Sequence, residues 1–222
     1  WRSNMSKTNE WEASQKIIET LQTQGFEAYV VGGAVRDIVL GKPAADIDIA
    51  TNALPDEVKT AFPRSIDVGI AHGTIVVLMD ECAIEVTTFR TDGKYVDHRR
   101  PTHVSFVRSL EEDMKRRDFT MNAMALTRDE QIIDLFGGKE DIQNGIIRTV
   151  GDPNHRFAED ALRMLRAIRF SSQLNFQLEE KTSEVITQNA SIIQNISVER
   201  ITNELEKIWL SAFPINSLKD RS

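Results

Sequence analysis

One cysteine, Cys82, stands in a chain of 222 residues. No internal disulfide can form, and chemistry that needs paired thiols is excluded. The apolar neighbours of Cys82 predict a plain buried thiol. No stretch approaches the roughly 20 apolar residues of a membrane-spanning helix. The opening "WRSNMSKTNEW" lacks the apolar core of a signal peptide and the arginine richness of a transit peptide. Met5 reads as the natural start, with residues 1–4 a cloning scar. These absences predict a cytoplasmic protein. Positive charge is also scarce: 27 Lys and Arg against 34 Asp and Glu leave a net charge of −7. A chain of that sign does not coat nucleic acid through its overall field. A local basic groove stays open, because potential follows distribution.

What is present suits one or two domains with real cores. Hydrophobic residues make up 41% and charged residues 27% of the chain. Residues 11–24 place Trp11, Ile17, Ile18 and Leu21 near one helical face, with Gly25 as the stop. "FEAYVV" reads as a strand, "AVRDIVLG" as a short helix, "DIDIAT" as a strand and "LPDEVKTAF" as a helix opened by proline and acids. "GTIVVLM", "CAIEVTTFR" and "THVSFV" are strand-like, and residues 91–103 form a polar, exposed loop. "SLEEDMKRRDFTMNAMAL" carries a serine cap and acids ahead of a helical pattern. "IIDLF" and "IIRTV" read as strands around a connector. After about residue 150 helical periodicity dominates. The reading is therefore α+β, with a mixed domain at 5–150 and a helical one at 151–222.

The chemistry-bearing stretch is "GGAVRDIVLGKPAADIDIAT", Gly32 to Thr51. On a strand, residues i and i+2 share a face, so "DID" sets Asp46 beside Asp48 and turns Ile47 into the core. Two adjacent carboxylates repel unless a cation compensates, and hard oxygen ligands with substrate phosphates suit Mg²⁺. A lone pair of this kind equally closes a polar loop. The neighbours sharpen it. Gly32 and Gly33 allow close backbone approach to a phosphate, and Arg36 is placed to neutralise one or to stand as a surface charge. Glu85, on a strand, is either a third carboxylate or an edge-strand charge. Together these residues describe a two-metal phosphoryl or nucleotidyl transfer site.

Downstream, "EDALRMLRAIRF" spaces Asp160, Arg163, Arg166 and Arg169 by three, along one drifting helical face. One reading is a surface ion pair of small energetic weight. The other uses donor and acceptor chemistry: a carboxylate only accepts and a guanidinium only donates. Cytosine and adenine each present an amino donor beside a ring acceptor. One Asp and one Arg complement both and mismatch uracil and guanine. Asp160 and Arg163 can thus select CTP and ATP without a nucleic-acid template.

In this order the motifs closely resemble the class II tRNA nucleotidyltransferases, the CCA-adding enzymes of the bacterial and eukaryotic type within the polymerase β-like superfamily. The resemblance covers about residues 11–210. "GGAVRDIVLG…DIDIAT" resembles the catalytic motif, which implies Gly33 and Arg36 at nucleotide phosphates and Asp46 and Asp48 as metal ligands. "DGKYVDHRRP" resembles the flexible-loop segment. "RRDFTMNAMA" is similar to the ribose-side motif, implying that Arg117 and Asp118 meet the sugar or phosphates and that Asn122 supports them. "EDALRMLRAIRF" is similar to the protein-template motif, implying Asp160 and Arg163 as base readers and Arg166 and Arg169 as further binding positions. "ISVERITNEL" is similar to the motif that stabilises the turn into later helices.

The resemblance implies a nucleotidyltransferase head with a five-stranded mixed sheet and helices, then an all-helical neck. It implies Mg²⁺ as cofactor, CTP and ATP as substrates and the tRNA 3′ end as acceptor, with C, C and A added in turn and pyrophosphate released. The family runs on for about as long again, through body and tail domains that grip tRNA; their absence here puts full tRNA binding in question. Alternatives are an A-adding enzyme, a bacterial poly(A) polymerase, or a non-catalytic nucleotide- or RNA-binding fragment. The loop segment favours full CCA or A addition, and the acidic balance disfavours a poly(A) polymerase.

Overall fold

The computed structural model describes residues 9–69, 72–92 and 104–209. They fall into two compact units. One comprises the described residues within 1–92, 103–117 and 121–139; the other comprises 118–120 and the described residues from 140 onward. Arg117 and Asp118, neighbours in sequence, therefore serve different units.

The first unit is built on a seven-stranded sheet, where a five-stranded one was expected. Its strands are β1 (Ala28–Val31), β2 (Asp48–Thr51), β3 (Ser65–Gly69), β4 (Thr74–Met79), β5 (Cys82–Thr88), β8 (Met124–Leu126) and β9 (Ile132–Asp134), in the order β3-β4-β5-β2-β1-β8-β9. The pairing of β2 with β5 is parallel and the others are antiparallel, so the sheet is mixed. Strands β4 and β5 join through Asp80 and Glu81, both at positive φ, the backbone that a tight right-twisted hairpin demands. A separate ribbon pairs β6 (Arg90–Asp92) with β7 (Val104–Phe106). The flexible-loop segment, from residue 93 to 101, lies outside the described residues.

Helix α1 (Asn9–Thr23) buries Trp11, Ile17, Ile18 and Leu21 against β1, β4 and β5 and stops at Gly25, where φ is 89°. Helices α2 (Gly33–Val39) and α3 (Pro55–Ala61) follow β1 and β2. Helix α4 (Leu110–Lys115) starts on Ser109, whose Oγ accepts from the Glu112 N–H at 3.4 Å. The expected helix through residue 126 ends early. "AMAL" enters the sheet as β8, between β1 and β9. Its three residues are all buried, so they lack the alternation that marks a strand in sequence. Cys82 is half-buried rather than enclosed.

In the second unit, helices α6 (Pro153–Glu159), α7 (Leu162–Leu174), α8 (Glu180–Asn189) and α9 (Val198–Trp209) dominate, and α7 packs on α9 and on α6. It is not wholly helical: β10 (Ile146–Ile147) and β11 (Gln177–Leu178) pair in parallel. The connector at 138–144 is helix α5 (Gly138–Asn144). No helix among the described residues is long and apolar enough to cross a membrane.

Candidate active site

In the first unit three strands converge on Asp48. The antiparallel register sets Val31 opposite Asp48, and the parallel register sets Glu85 beside it. Val31 leads straight into Gly32, at φ 73° and ψ −142°, a backbone that glycine adopts without steric cost. A Cβ at Gly32 would stand 3.6 Å from Arg117 Nη1, so the turn and that guanidinium are near neighbours. Asp46 is not on the strand. Its φ is 51° and β2 begins at Asp48, so the two carboxylates do not share a pleated face by strand alternation. The turn is held from outside: Glu10 Oε1 accepts the Ile47 N–H at 2.9 Å, while Ile47 itself is buried.

The acids stand open to solvent, yet they crowd one another. Partial desolvation first, then Glu85, pushes the Asp48 carboxyl up to about 6; Arg117 opposes this, and Asp46 and Glu10 reinforce it. A carboxylate held in that state wants a cation. The donors are hard oxygens, the kind that suit a divalent ion, and among the described residues no group of three acidic, His or Cys side chains is placed to hold a metal ion by itself.

Beside Asp48 and Glu85 lies a cavity of about 270 Å³, lined also by Thr74, Thr87, Arg90, Arg116 and Arg117. Arg116 and Arg117 both bond Asp113, which is 1% exposed. Burial works against the Asp113 charge, but Arg117 and Arg116 more than offset it and hold its carboxyl below the usual range. Arg36 donates to Asn122 Oδ1 at 3.0 Å and pairs with Asp37 at 3.2 Å. Asn122 thus supports Arg36, which is itself mostly covered. His72 is exposed, and its carbonyl accepts from Arg90 Nη1 at 3.0 Å.

The second unit carries the rest of the expected site, in a different arrangement. Asp160 does not lie on the helix of Arg163. It occupies a break between α6 and α7, at φ −147° and ψ 104°. Its Oδ1 accepts from the Leu162 N–H at 3.2 Å, and its Oδ2 from Arg200 Nη2 at 2.8 Å. Arg163 bonds Glu159 at 2.7 Å. Arg166 donates through Nε and Nη2 to Asp118 Oδ2, at 2.8 and 2.7 Å. Burial opposes the Asp118 charge, but Arg166 and Arg163, with the Phe119 N–H, keep its carboxyl below the ordinary range. Arg169 is 7% exposed and pairs with buried Glu204 at 3.3 Å, its guanidinium 4.5 Å from the Phe170 ring centre.

Sequence reasoning passed over Glu10, Asp113, Arg200 and Glu204. For Asp113 a signal existed: Arg116 and Arg117 follow at i+3 and i+4, the spacings that meet across one helical turn. Arg200 and Glu204 lie far along the chain from Asp160 and Arg169, and no local pattern links them.

Comparison with known proteins adds the following. The family described as the poly A polymerase head domain matches residues 28–148, and one described as a probable RNA and SrmB binding site of polymerase A matches 175–220. A CCA-adding enzyme of Geobacillus thermodenitrificans (strain NG80-2) is 59% identical over 91% of this chain and 50% of that protein. One of Enterococcus faecalis (strain ATCC 700802 / V583) is 56% identical over 91% of this chain and 50% of that protein. Among solved structures, the Bacillus stearothermophilus CCA-adding enzyme in complex with CTP superposes with a TM-score of 0.89 at 52% identity, over 96% of this chain and 52% of that one. The Thermotoga maritima enzyme complexed with tRNA gives 0.76 at 27% identity, over 94% and 49%. The chain spans about half the length of the curated relatives it matches.

Proposed function

Because the chain belongs to the poly A polymerase head domain family, we propose that it carries the catalytic and base-selecting parts of a CCA-adding tRNA nucleotidyltransferase. The reaction adds C, C and A to the 3′ end of tRNA from CTP and ATP, without a nucleic-acid template and with pyrophosphate leaving. The observation that carries this reading is the register that sets Asp48 beside Glu85, next to the Gly32 turn and an arginine-lined cavity.

Asp46 and Asp48 would hold the divalent ions, for which their hard oxygens suit Mg²⁺. When bound, two such ions supply polarisation of the α-phosphate and activation of the attacking hydroxyl. The chain's own residues position and neutralise. Gly32 and Gly33 let the triphosphate approach the backbone, and Arg36 and Arg117 offset its charge. Glu85 keeps the local field negative and so favours cation capture. Asn122 fixes the Arg36 fork. In the stretch 151–222 we assign base reading to Asp160 and Arg163. Each already has a partner, so pairing with a base amounts to an exchange of hydrogen bonds. Arg166 and Arg169 are held by Asp118 and Glu204; for these two we propose support of that region alongside nucleotide contact. We propose the cytoplasm as the place of this work.

The test is equilibrium binding of CTP, ATP, UTP and GTP with Mg²⁺, by wild type and by the Asp46→Ala, Asp48→Ala double variant. CTP and ATP are expected to bind well above UTP and GTP, and the double variant to lose the Mg²⁺-dependent part of that binding. Equal binding of all four would overturn the template assignment. Single-nucleotide extension of a tRNA lacking CCA separates the reactions: C then A supports this reading, A alone an A-adding enzyme, and long A tracts on arbitrary RNA a poly(A) polymerase.

A further inference from the structure

Asp113 is 1% exposed on the short helix α4 and accepts bonds from three residues. Its Oδ1 takes the Arg90 backbone N–H at 3.1 Å and Arg116 Nε and Nη2 at 3.3 and 3.2 Å; its Oδ2 takes Arg117 Nη2 at 3.0 Å. Helix α4 ends at Lys115, and Arg116 turns the chain out of it. Both guanidiniums reach back over the last turn to one carboxylate. Both also line the cavity that contains Asp48 and Glu85. We infer that Asp113 is a positioning residue for nucleotidyl transfer, which aims Arg117, with Arg116, at the substrate's phosphates before the substrate arrives. This rests on the functional reading above.

The physical case is one of preorganisation. A free arginine side chain surrenders much of its rotamer freedom when it is fixed. A buried carboxylate that fixes it in the empty protein removes that cost from the binding step. The charge count points the other way. Two guanidiniums share one carboxylate, so Asp113 cancels half of their positive charge. If attraction to phosphate depended on net charge alone, Asp113 would weaken it. A Cβ at Gly32 would stand 3.6 Å from Arg117 Nη1, a separate sign that the guanidinium already lies beside the Gly32 turn.

A double-mutant cycle tests this on the chain as it stands. CTP and cytidine affinities are measured with Mg²⁺ for wild type, Asp113→Asn, Arg117→Ala and the double variant. Asp113→Asn is expected to weaken CTP roughly tenfold, to leave cytidine unchanged, and to add almost nothing once Arg117 is gone. Unchanged or tighter CTP binding overturns the inference, and so does an equal loss in both backgrounds, which marks a general structural role. Should Asp113→Asn not fold, Asp113→Glu carries the same cycle with the same two outcomes. A wild type that binds no CTP sinks the functional reading and the positioning role with it. A wild type that binds CTP, with losses independent of Arg117, sinks the positioning role alone.

Discussion

Asp118 is 8% exposed and ionises more readily than an ordinary aspartate, whereas Asp48 is the more exposed of the two, yet partial desolvation and then Glu85 push its carboxyl up to about 6. Burial alone would order them the other way. What separates them is company. Asp118 has a two-pronged arginine and a backbone N–H; Asp48 has Glu85, Asp46 and Glu10, with only Arg117 in opposition. The second unit spends its charges on one another and is held together by them. The first unit leaves a negative cluster unsettled, which costs stability and which, on the proposed reading, a divalent ion would offset.

Breaking the settled side has the largest expected effect. Asp118→Asn leaves Arg166 without its counter-charge, and loss of one partner of a buried pair costs about 3–5 kcal/mol. Urea unfolding checks it. The sign with pH follows from the lowered carboxyl. The pair's contribution is fully present above the unfolded value of 3.8 and is lost as pH falls through the still lower folded value. Wild type should therefore lose stability in that acid window, and Asp118→Asn should lose less.

Relieving the unsettled side has the opposite sign and a smaller size. Asp48→Asn removes the repelled charge at pH 7 and should stabilise the cation-free chain by about 1 kcal/mol, with solvent screening allowed for, while it abolishes any thermal shift on adding Mg²⁺. A thermal melt with and without the ion reads both. The smallest effect is expected at Glu10. Glu10→Gln keeps an acceptor for the Ile47 N–H and removes one nearby negative charge, so stability should stay within about 0.5 kcal/mol of wild type. Glu10→Ala also loses the hydrogen bond, worth about 1 kcal/mol. A destabilised Gln variant would show that the charge, not the hydrogen bond, holds the turn at Asp46.

The sequence was most legible where chemistry and backbone demanded the same residues. "GGAVRD" announces a turn into a helix and the structure has it at Gly32. "DIDIAT" announces a strand but not the left-handed backbone at Asp46, because a distant side chain, Glu10 on α1, 37 residues before Ile47, holds that turn from another element. "FTMNAMAL" hides β8 since a fully enclosed strand shows no alternation. The break at Asp160 was invisible for a related reason. Glu and Ala are good helix formers on either side of a weaker one, and the chain leaves the helix where Asp160 gains Leu162 and Arg200 as partners. Local pattern reports the groups a residue can make bonds with; it does not report which distant group arrives.

The parallel join of β2 to β5 has a consequence for how the chain folds. Antiparallel neighbours can be zipped from a tight turn, but a parallel pair needs the intervening chain to cross over first. Here α3, β3 and β4 fill that interval. Asp48 and Glu85 are thus brought together by a contact of long sequence separation, the kind whose loop-closure entropy is paid before it is rewarded. The repulsion between them is met only when that closure brings β2 beside β5, so its cost falls on the same step as the loop-closure entropy.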